Sequence, residues 1–338
     1  MKRPTIADIA RRAGVSKVAV SYALNDRPGV SAAKRALIKS IAAEIGWRPN
    51  SAARALNGAR ANSVGLAVCR PARILGVEPF FMELISGIES ELSARSYALT
   101  LQVVPDHEQE METYRRWWGE GRVDGTILVD LHWDDPRVPG LAELGLPAVV
   151  VGHPSQSGPL VSVWSDDAAA VRETVEYLAA LGHRSIARVA GLPRLVHTRL
   201  RDEAFTAVCA ERGLAASITH TDYTGEEGAR ATRRLLGSRE RPTAIVYDND
   251  IMTVAGLSAA HEMGLEVPAE LSIVAWDDSP VSQVVRPALT ALTRDIPAYG
   301  AIAARTLLDL IGEREVADVE TPAHRLLPRG STAPPPPS

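Results

Sequence analysis

From residue 62 onward, short apolar runs alternate with amphipathic stretches of helical length, and no other feature constrains the fold of this chain so tightly. The runs fall at 64–69, 99–103, 126–129 and 148–151, with helical patterns near 80–95, 108–119 and 137–144 between them. A second set repeats the scheme: runs near 186–190, 217–221, 244–247 and 272–275, and helical patterns near 166–181, 200–212, 226–236 and 251–263. Strands that alternate with helices run parallel, with helices covering both faces of the sheet. Two such sets in series predict an α/β body of two doubly wound parallel-sheet lobes, with a last helix near 298–311 crossing back to the first lobe. Ligands of such folds bind outside the carboxyl ends of the strands, which here means the cleft between the lobes.

The first 60 residues obey a different rule. They hold all four lysines of the chain and, in total, twelve Lys and Arg against three acids, a balance of +9, whereas the remainder carries −13. A basic head on an acidic body predicts that the head meets a polyanion, because neutralising phosphates releases counterions. Thr5 can cap a first helix, with Asp8 three residues on as in a capping box, and Gly14 breaks that helix. Ser16 is a second N-cap, opening a helix with Val20 and Leu24 spaced four apart. A third segment starts at Ser31, with Ala36, Leu37, Ile41 and Ile45 expected inward and Lys34, Arg35 and Lys39 outward, and stops at Gly46. Three short helices of this kind make an all-α helix-turn-helix unit whose second helix enters the major groove.

The phrase A-D-I-A-R-R-A-G-V-S-x-x-x-V-S-x-x-L-N, followed by V-S and by R-P-N-x-x-A-R-x-L, resembles the lac repressor and galactose repressor family of bacterial regulators. The resemblance implies that Lys17, Val18 and Tyr22 face bases, while Thr5, Ser16, Ser21, Asn25, Ser31 and Asn50 hold phosphates. Ala19 and Tyr22 stand where many members carry Thr and Arg, so a guanine-reading Arg is missing from that slot. Residues 49–58 suit one short helix, too short to be stable alone. By resemblance it is a hinge helix that orders on operator DNA, with Ala53, Arg54, Leu56 and Asn57 at the minor groove and Leu56 as an apolar wedge. A plain linker is the alternative reading of the same residues.

The phrases L-A-A-L-G-H-R-S-I-A, Y-D-N-D-I-M, S-I-V-A-W-D-D and P-A-L-T extend the resemblance along nearly the whole chain, and with it the expectation of a periplasmic-binding-protein-like body. It implies that Arg201 clamps effector oxygens, that Asp277 is the acceptor carboxylate on the facing loop, and that Asn249 is a third polar contact. Read from the residues alone, Arg201 equally suits a surface pair with Asp202 or Glu203, Asn249 suits a helix cap and Asp277 a turn cap. Aromatics number only 16, yet Trp133, Tyr223, Tyr247 and Trp276 lie at or just past expected strand ends, and Phe80 and Phe81 begin a helix. Rings beside bidentate polar groups suit a mono- or oligosaccharide, and flat purines or nucleosides would use the same rings. His132, His153 and His197 complete the residues expected near the cleft.

No nucleophile elbow, phosphate loop, zinc helix or dinucleotide turn is visible in the sequence, so neither catalysis, cofactor nor metal is expected. Cys69 and Cys209 read as two separate buried thiols. No run reaches the roughly 18 apolar residues that span a bilayer, and MKRPTIADIA has no long apolar run after its basic pair; a soluble, cytoplasmic protein that avoids membranes is the expectation. The expected organisation is a head at 1–48, a hinge at 49–61, a two-lobed effector-binding and dimerisation body at 62–328 and a disordered tail at 329–338. Within the body, the first lobe spans 62–161 and 294–322 and the second 162–293. Function is then expected to be that of a homodimeric, effector-responsive repressor on a palindromic operator. A sugar-binding protein without regulatory role and a sugar-active enzyme with a DNA-binding head are the rivals.

Overall fold

The computed structural model describes residues 4–47, 60–70, 75–76 and 78–337, and the chain divides into two compact units, Met1–Ala61 and Asn62–Ser338. The first unit holds helices α1 (Ile6–Ala13), α2 (Lys17–Leu24) and α3 (Ala32–Glu44). At Thr5 the backbone N–H and the hydroxyl both donate to the Asp8 carboxylate, at 3.0 and 2.7 Å. Gly14 ends α1 with φ +64, a left-handed cap that a side chain would strain. Ser16 caps α2 by accepting from the Ala19 N–H at 3.2 Å, and Ser31 caps α3 by accepting from Lys34 at 3.4 Å.

Ile9, Ala10, Val20, Ala23, Ile38, Ile41 and Ala42 close the small core of this unit, with Ile45 packed against it. The expected inward stripe of α3 was one residue out of register at its start. Ala36 and Leu37 are exposed, Leu37 at 50%, because the stripe that keeps step with Ile41 and Ile45 begins at Ile38.

The second unit has two sheets of six strands each. In the first lobe β1 (Ser63–Val68), β2 (Ala98–Val103), β3 (Gly125–Leu128), β4 (Ala148–Val151), β5 (Val161–Trp164) and β11 (Val319–Glu320) lie in the order β11-β5-β4-β3-β1-β2, all parallel. Helices α4 (Pro79–Ala94) and α12 (Ile296–Ile311) cover one face, and α5 (His107–Gly119) and α6 (Arg137–Leu144) the other. The crossing of α4 and α12 is backbone-close: a Cβ on Gly87 would collide with the Pro297 carbonyl, and one on Gly300 with that of Leu84.

In the second lobe β6 (Ser185–Ala190), β7 (Ala215–His220), β8 (Ala244–Tyr247), β9 (Ser272–Ala275), β10 (Thr290–Thr293) and β12 (Arg325–Leu327) lie in the order β12-β10-β9-β8-β6-β7. Only the edge strand β12 runs antiparallel. Helices α7 (Asp167–Leu181) and α8 (Val196–Glu211) pack on one face, and α9 (Gly225–Leu236) and α10 (Asp250–Glu262) on the other; α11 (Pro280–Val284) is a short turn before β10. The chain passes between lobes after β5, after β10 and between β11 and β12. The first passage therefore comes after Trp164 rather than at 161/162, because Val161–Trp164 pairs with β4.

Two more features bear on the cleft. Besides these passages a short backbone stitch joins the lobes: the Val196 N–H donates to the Leu131 carbonyl at 2.9 Å and the Trp133 N–H to that of Arg194 at 3.1 Å. The tail expected to be disordered is instead bound to the second lobe. Ser331 is fully buried, its Oγ accepting from the Thr290 N–H and donating to the Ile273 carbonyl, while the Ala333 N–H donates to Ser272 Oγ. These bonds satisfy backbone groups of Ile273 and Thr290 near the starts of the inner strands β9 and β10, which composition alone does not reveal. Among the described residues no helix is long and apolar enough to cross a membrane.

Candidate functional site

The carboxyl ends of the strands in both lobes border one cleft. On the second lobe Arg201 projects from α8 and is 6% exposed. Its Nε donates to Asp167 Oδ2 at 2.7 Å, its Nη1 lies 3.8 Å from Asp248 Oδ1, and its guanidinium carbon sits 3.6 Å from the centre of the Trp276 ring. Asp248 in turn accepts from Arg188 at 2.5 Å and from the Gly191 N–H at 2.9 Å, and Arg188 also pairs with Asp202. Burial alone would raise both carboxyls, but Arg201 together with His324 and Arg294 more than offsets it at Asp167, as Arg188 and Arg201 with the Gly191 N–H do at Asp248, leaving both below the usual range.

Trp276 and Asp277 follow β9 directly. The Asp277 Oδ1 is sealed from solvent without a hydrogen-bond partner, and burial raises that carboxyl to about 6. Tyr223 lies across Gly191, which has no room for a side chain, and its hydroxyl meets His197 Nε2 at 2.8 Å and Thr198 Oγ1 at 3.1 Å. Burial, helped by Arg201, lowers His197 to about 4, so at neutral pH its ring is uncharged.

The first lobe contributes a closed pair. Arg70 donates twice to Asp130, at 2.7 and 3.0 Å, and its guanidinium lies 5.6 Å from the Phe81 ring centre and 4.8 Å from that of Tyr223. Burial works against ionisation of Asp130, yet Arg70 brings it down to about 2. Phe80 packs under Arg294, 5.0 Å from its ring centre, and His153 sets its edge on Trp164. Glu78 is 7% exposed with Oε2 unpartnered, and burial raises it to about 7.

Of the twelve residues expected near the cleft, it brings together Phe80, Phe81, His153, His197, Arg201, Tyr223, Trp276 and Asp277. Four lie elsewhere; Tyr247 is buried in the second lobe with its hydroxyl 2.7 Å from Thr232 Oγ1. Asn249 caps α10, accepting from the Met252 N–H at 2.8 Å and donating to the Tyr223 carbonyl at 3.1 Å, and is not among the lining residues. Trp133 stands outside the lining, 37% exposed, with the Arg199 guanidinium 3.9 Å from its ring centre. His132 likewise turns away, its Nε2 2.9 Å from that of His107. Arg70, Asp130, Asp167, Asp248 and Arg294 line the cleft and were not singled out from the sequence. Each follows a strand end by one to three residues, so the strand-end rule applied to polar residues as well as aromatics would have found them.

On the head, α2 presents Lys17, Val18 and Tyr22 outward, Val18 at 60% and Tyr22 at 38% exposure. Thr5, Ser16 and Ser31 stand at the three helix N-termini, and the Asn25 side chain donates to the Ser21 carbonyl at 2.9 Å. Asn50, Ala53, Arg54, Leu56 and Asn57 lie outside the described residues. Cys69 and Cys209 are free, and burial raises both thiols, Cys209 to about 11. Among the described residues no group of His, Cys, Asp and Glu is arranged to hold a metal ion.

Residues 5–50 match the family model described as bacterial regulatory proteins, lacI family, and residues 175–332 match a periplasmic binding protein-like domain. The HTH-type transcriptional regulator CelR of Thermobifida fusca is 30% identical over 317 residues, 92% of either chain. A solved structure described as the transcriptional regulator CelR–cellobiose complex is similar with a TM-score of 0.74 at 29% identity, covering 97% of this chain and 100% of that one. The lac repressor dimer bound to operator and the anti-inducer ONPF gives a TM-score of 0.86 at 26% identity, covering 98% of this chain and 100% of that one.

Proposed function

The chain belongs to the lacI family of bacterial regulatory proteins and is a regulator of transcription, not an enzyme; from that premise we propose that it is a homodimeric repressor whose operator affinity is set by a carbohydrate in the interlobe cleft. The observation that carries the effector half is the grouping of Arg201, Trp276 and Asp277: a guanidinium stacked on an indole, beside a carboxylate oxygen with no protein partner. A sugar meets the polar pair directly, its oxygens on the guanidinium and its hydroxyl protons on the carboxylate, while the buried Trp276 ring backs the guanidinium. The cellobiose held by the similar CelR supports this class of ligand.

For the DNA half, Lys17, Val18 and Tyr22 read base edges from α2, while Thr5, Ser16, Ser21, Asn25 and Ser31, with Asn50, hold the flanking phosphates. Ala53, Arg54, Leu56 and Asn57 enter the minor groove, with Leu56 as the wedge, and two copies of the hinge make operator affinity depend on a dimer. Effector binding changes lobe closure and releases the operator, and the coupling is reciprocal: the operator complex must bind effector more weakly than the free protein. The test is fluorescence anisotropy on DNA flanking the gene, at fixed salt, titrated with sugars and nucleosides. Release by one sugar is the expected result; release by a nucleoside alone would replace the carbohydrate, and absence of specific binding would overturn the reading of the head.

A further inference from the structure

Beside Phe80, a small side chamber opens between Glu78 and Glu83 of the first lobe and Asp250, Asp277 and Asp278 of the second. Its charge is badly balanced. Arg329 occupies Asp278 through two bonds of 2.7 Å, and among the described residues Arg294 is the one cation lining the chamber, set against the other four carboxyls. Glu78 is 7% and Asp250 2% exposed, yet Glu78 Oε2, Asp250 Oδ2 and Asp277 Oδ1 all lack a hydrogen-bond partner. A buried carboxylate oxygen without a partner is expensive, and three of them around one space mark a place where something else belongs.

We propose that this chamber recognises an ammonium group, so that the effector is an amine-bearing sugar rather than a neutral one. The inference rests on the carbohydrate reading of the cleft and names the substituent that reading leaves open. A protonated amine brings a compact positive charge together with donors for unpartnered oxygens of both lobes, whereas a neutral hydroxyl brings a donor without the charge. A divalent ion is a poorer match, since among the described residues no group of carboxylates is arranged for one. Burial, against the pull of Arg70 on Glu78 and of Arg294 and Arg201 on Asp277, holds the free chamber partly protonated: Glu78 is raised to about 7, Asp277 to about 6, and Glu83 and Asp250 move the same way. An arriving ammonium draws these groups into the ionised form and seals the two lobes together through charge.

The experiment is calorimetric titration of the full chain with cellobiose and with the β-1,4-linked dimer of glucosamine, at roughly pH 6.5 where the amine carries its proton. The two ligands differ only in an ammonium replacing the hydroxyl at C2 of each unit. The expected result is at least about tenfold tighter binding of the aminated dimer, with the preference abolished in Glu78→Gln and in Asp277→Asn. Equal or tighter binding of cellobiose overturns the proposal and leaves the carbohydrate reading standing; so does a preference that survives both substitutions. A second measurement needs no sugar: ethanolammonium chloride should raise the melting temperature of the wild type above that in sodium chloride of equal ionic strength, and should fail to do so for Glu78→Gln. Equal shifts in both proteins overturn the ammonium chamber. If neither dimer binds while the ethanolammonium effect holds, ammonium recognition stands and the carbohydrate reading fails.

Discussion

The two walls of the cleft use the same residue types to opposite ends. On the first lobe Arg70 and Asp130 satisfy one another through two bonds, with side chains 7% and 14% exposed, and neither has much left to offer a ligand. On the second lobe Arg201 spends only Nε on a close partner, lays its face on Trp276, and stands near an Asp277 whose Oδ1 has no protein partner. A closed pair fixes geometry and an open one is left to recognise. Burial by itself does not separate structural charges from functional ones, since both walls are buried; the state of their hydrogen bonds does.

Substitutions should fall out along that line. Asp130→Asn, which strands the Arg70 guanidinium in a buried site, should cost on the order of 3 kcal/mol of folding stability, read from denaturant midpoints. A loss much below about 1 kcal/mol would mean that the first wall is as open as the second. Arg201→Ala should weaken effector binding by about 100-fold while operator binding survives, an effect of about 2.7 kcal/mol read by anisotropy with and without ligand. Equal loss of both would remove Arg201 from the effector site.

Asp277→Asn should act in the opposite sense on the free protein, stabilising it by about 1–3 kcal/mol near pH 8. The sign follows from the raised carboxyl: with about 6 in the folded chain against 3.8 ordinarily, ionisation opposes folding above pH 6, and the penalty fades as pH falls through 6 toward 3.8. Melting temperatures of the two proteins should therefore converge in acid. Trp133→Ala should change effector affinity by less than about twofold, because Trp133 lies outside the cleft lining. A larger change would show that Arg199 and Trp133 belong to the site after all.

What the sequence revealed and what it hid divides by physical scale. The paired sets of strands and helices were legible because each is a run long enough to carry a period, and the head because Thr5, Gly14, Ser16 and Ser31 mark helix ends chemically. The strands β11 and β12 have only two and three residues, and β5 and β10, though as long as β3 and β4, break their apolar residues with Ser or Thr, so none of the four shows as a buried run; they pair because neighbouring strands need partners. The same non-local demand binds Ser331. In the cleft, aromatics at strand ends were visible as exceptions to a ring-poor composition, whereas Asp167 and Asp248 sit among many acids and gain meaning only from the arginines that the fold brings to them. Asn249 shows the converse, a residue whose cap chemistry was readable and which does serve as a cap.

The stitch between Leu131–Trp133 and Arg194–Val196 carries one last implication. Lobes joined by peptide hydrogen bonds cannot part as rigid bodies without baring the Trp133 and Val196 amides to water. Deuterium uptake at those two positions therefore times the opening of the cleft, and saturating effector should slow it while leaving uptake at the Ser16 and Ser31 helix ends of the head unchanged.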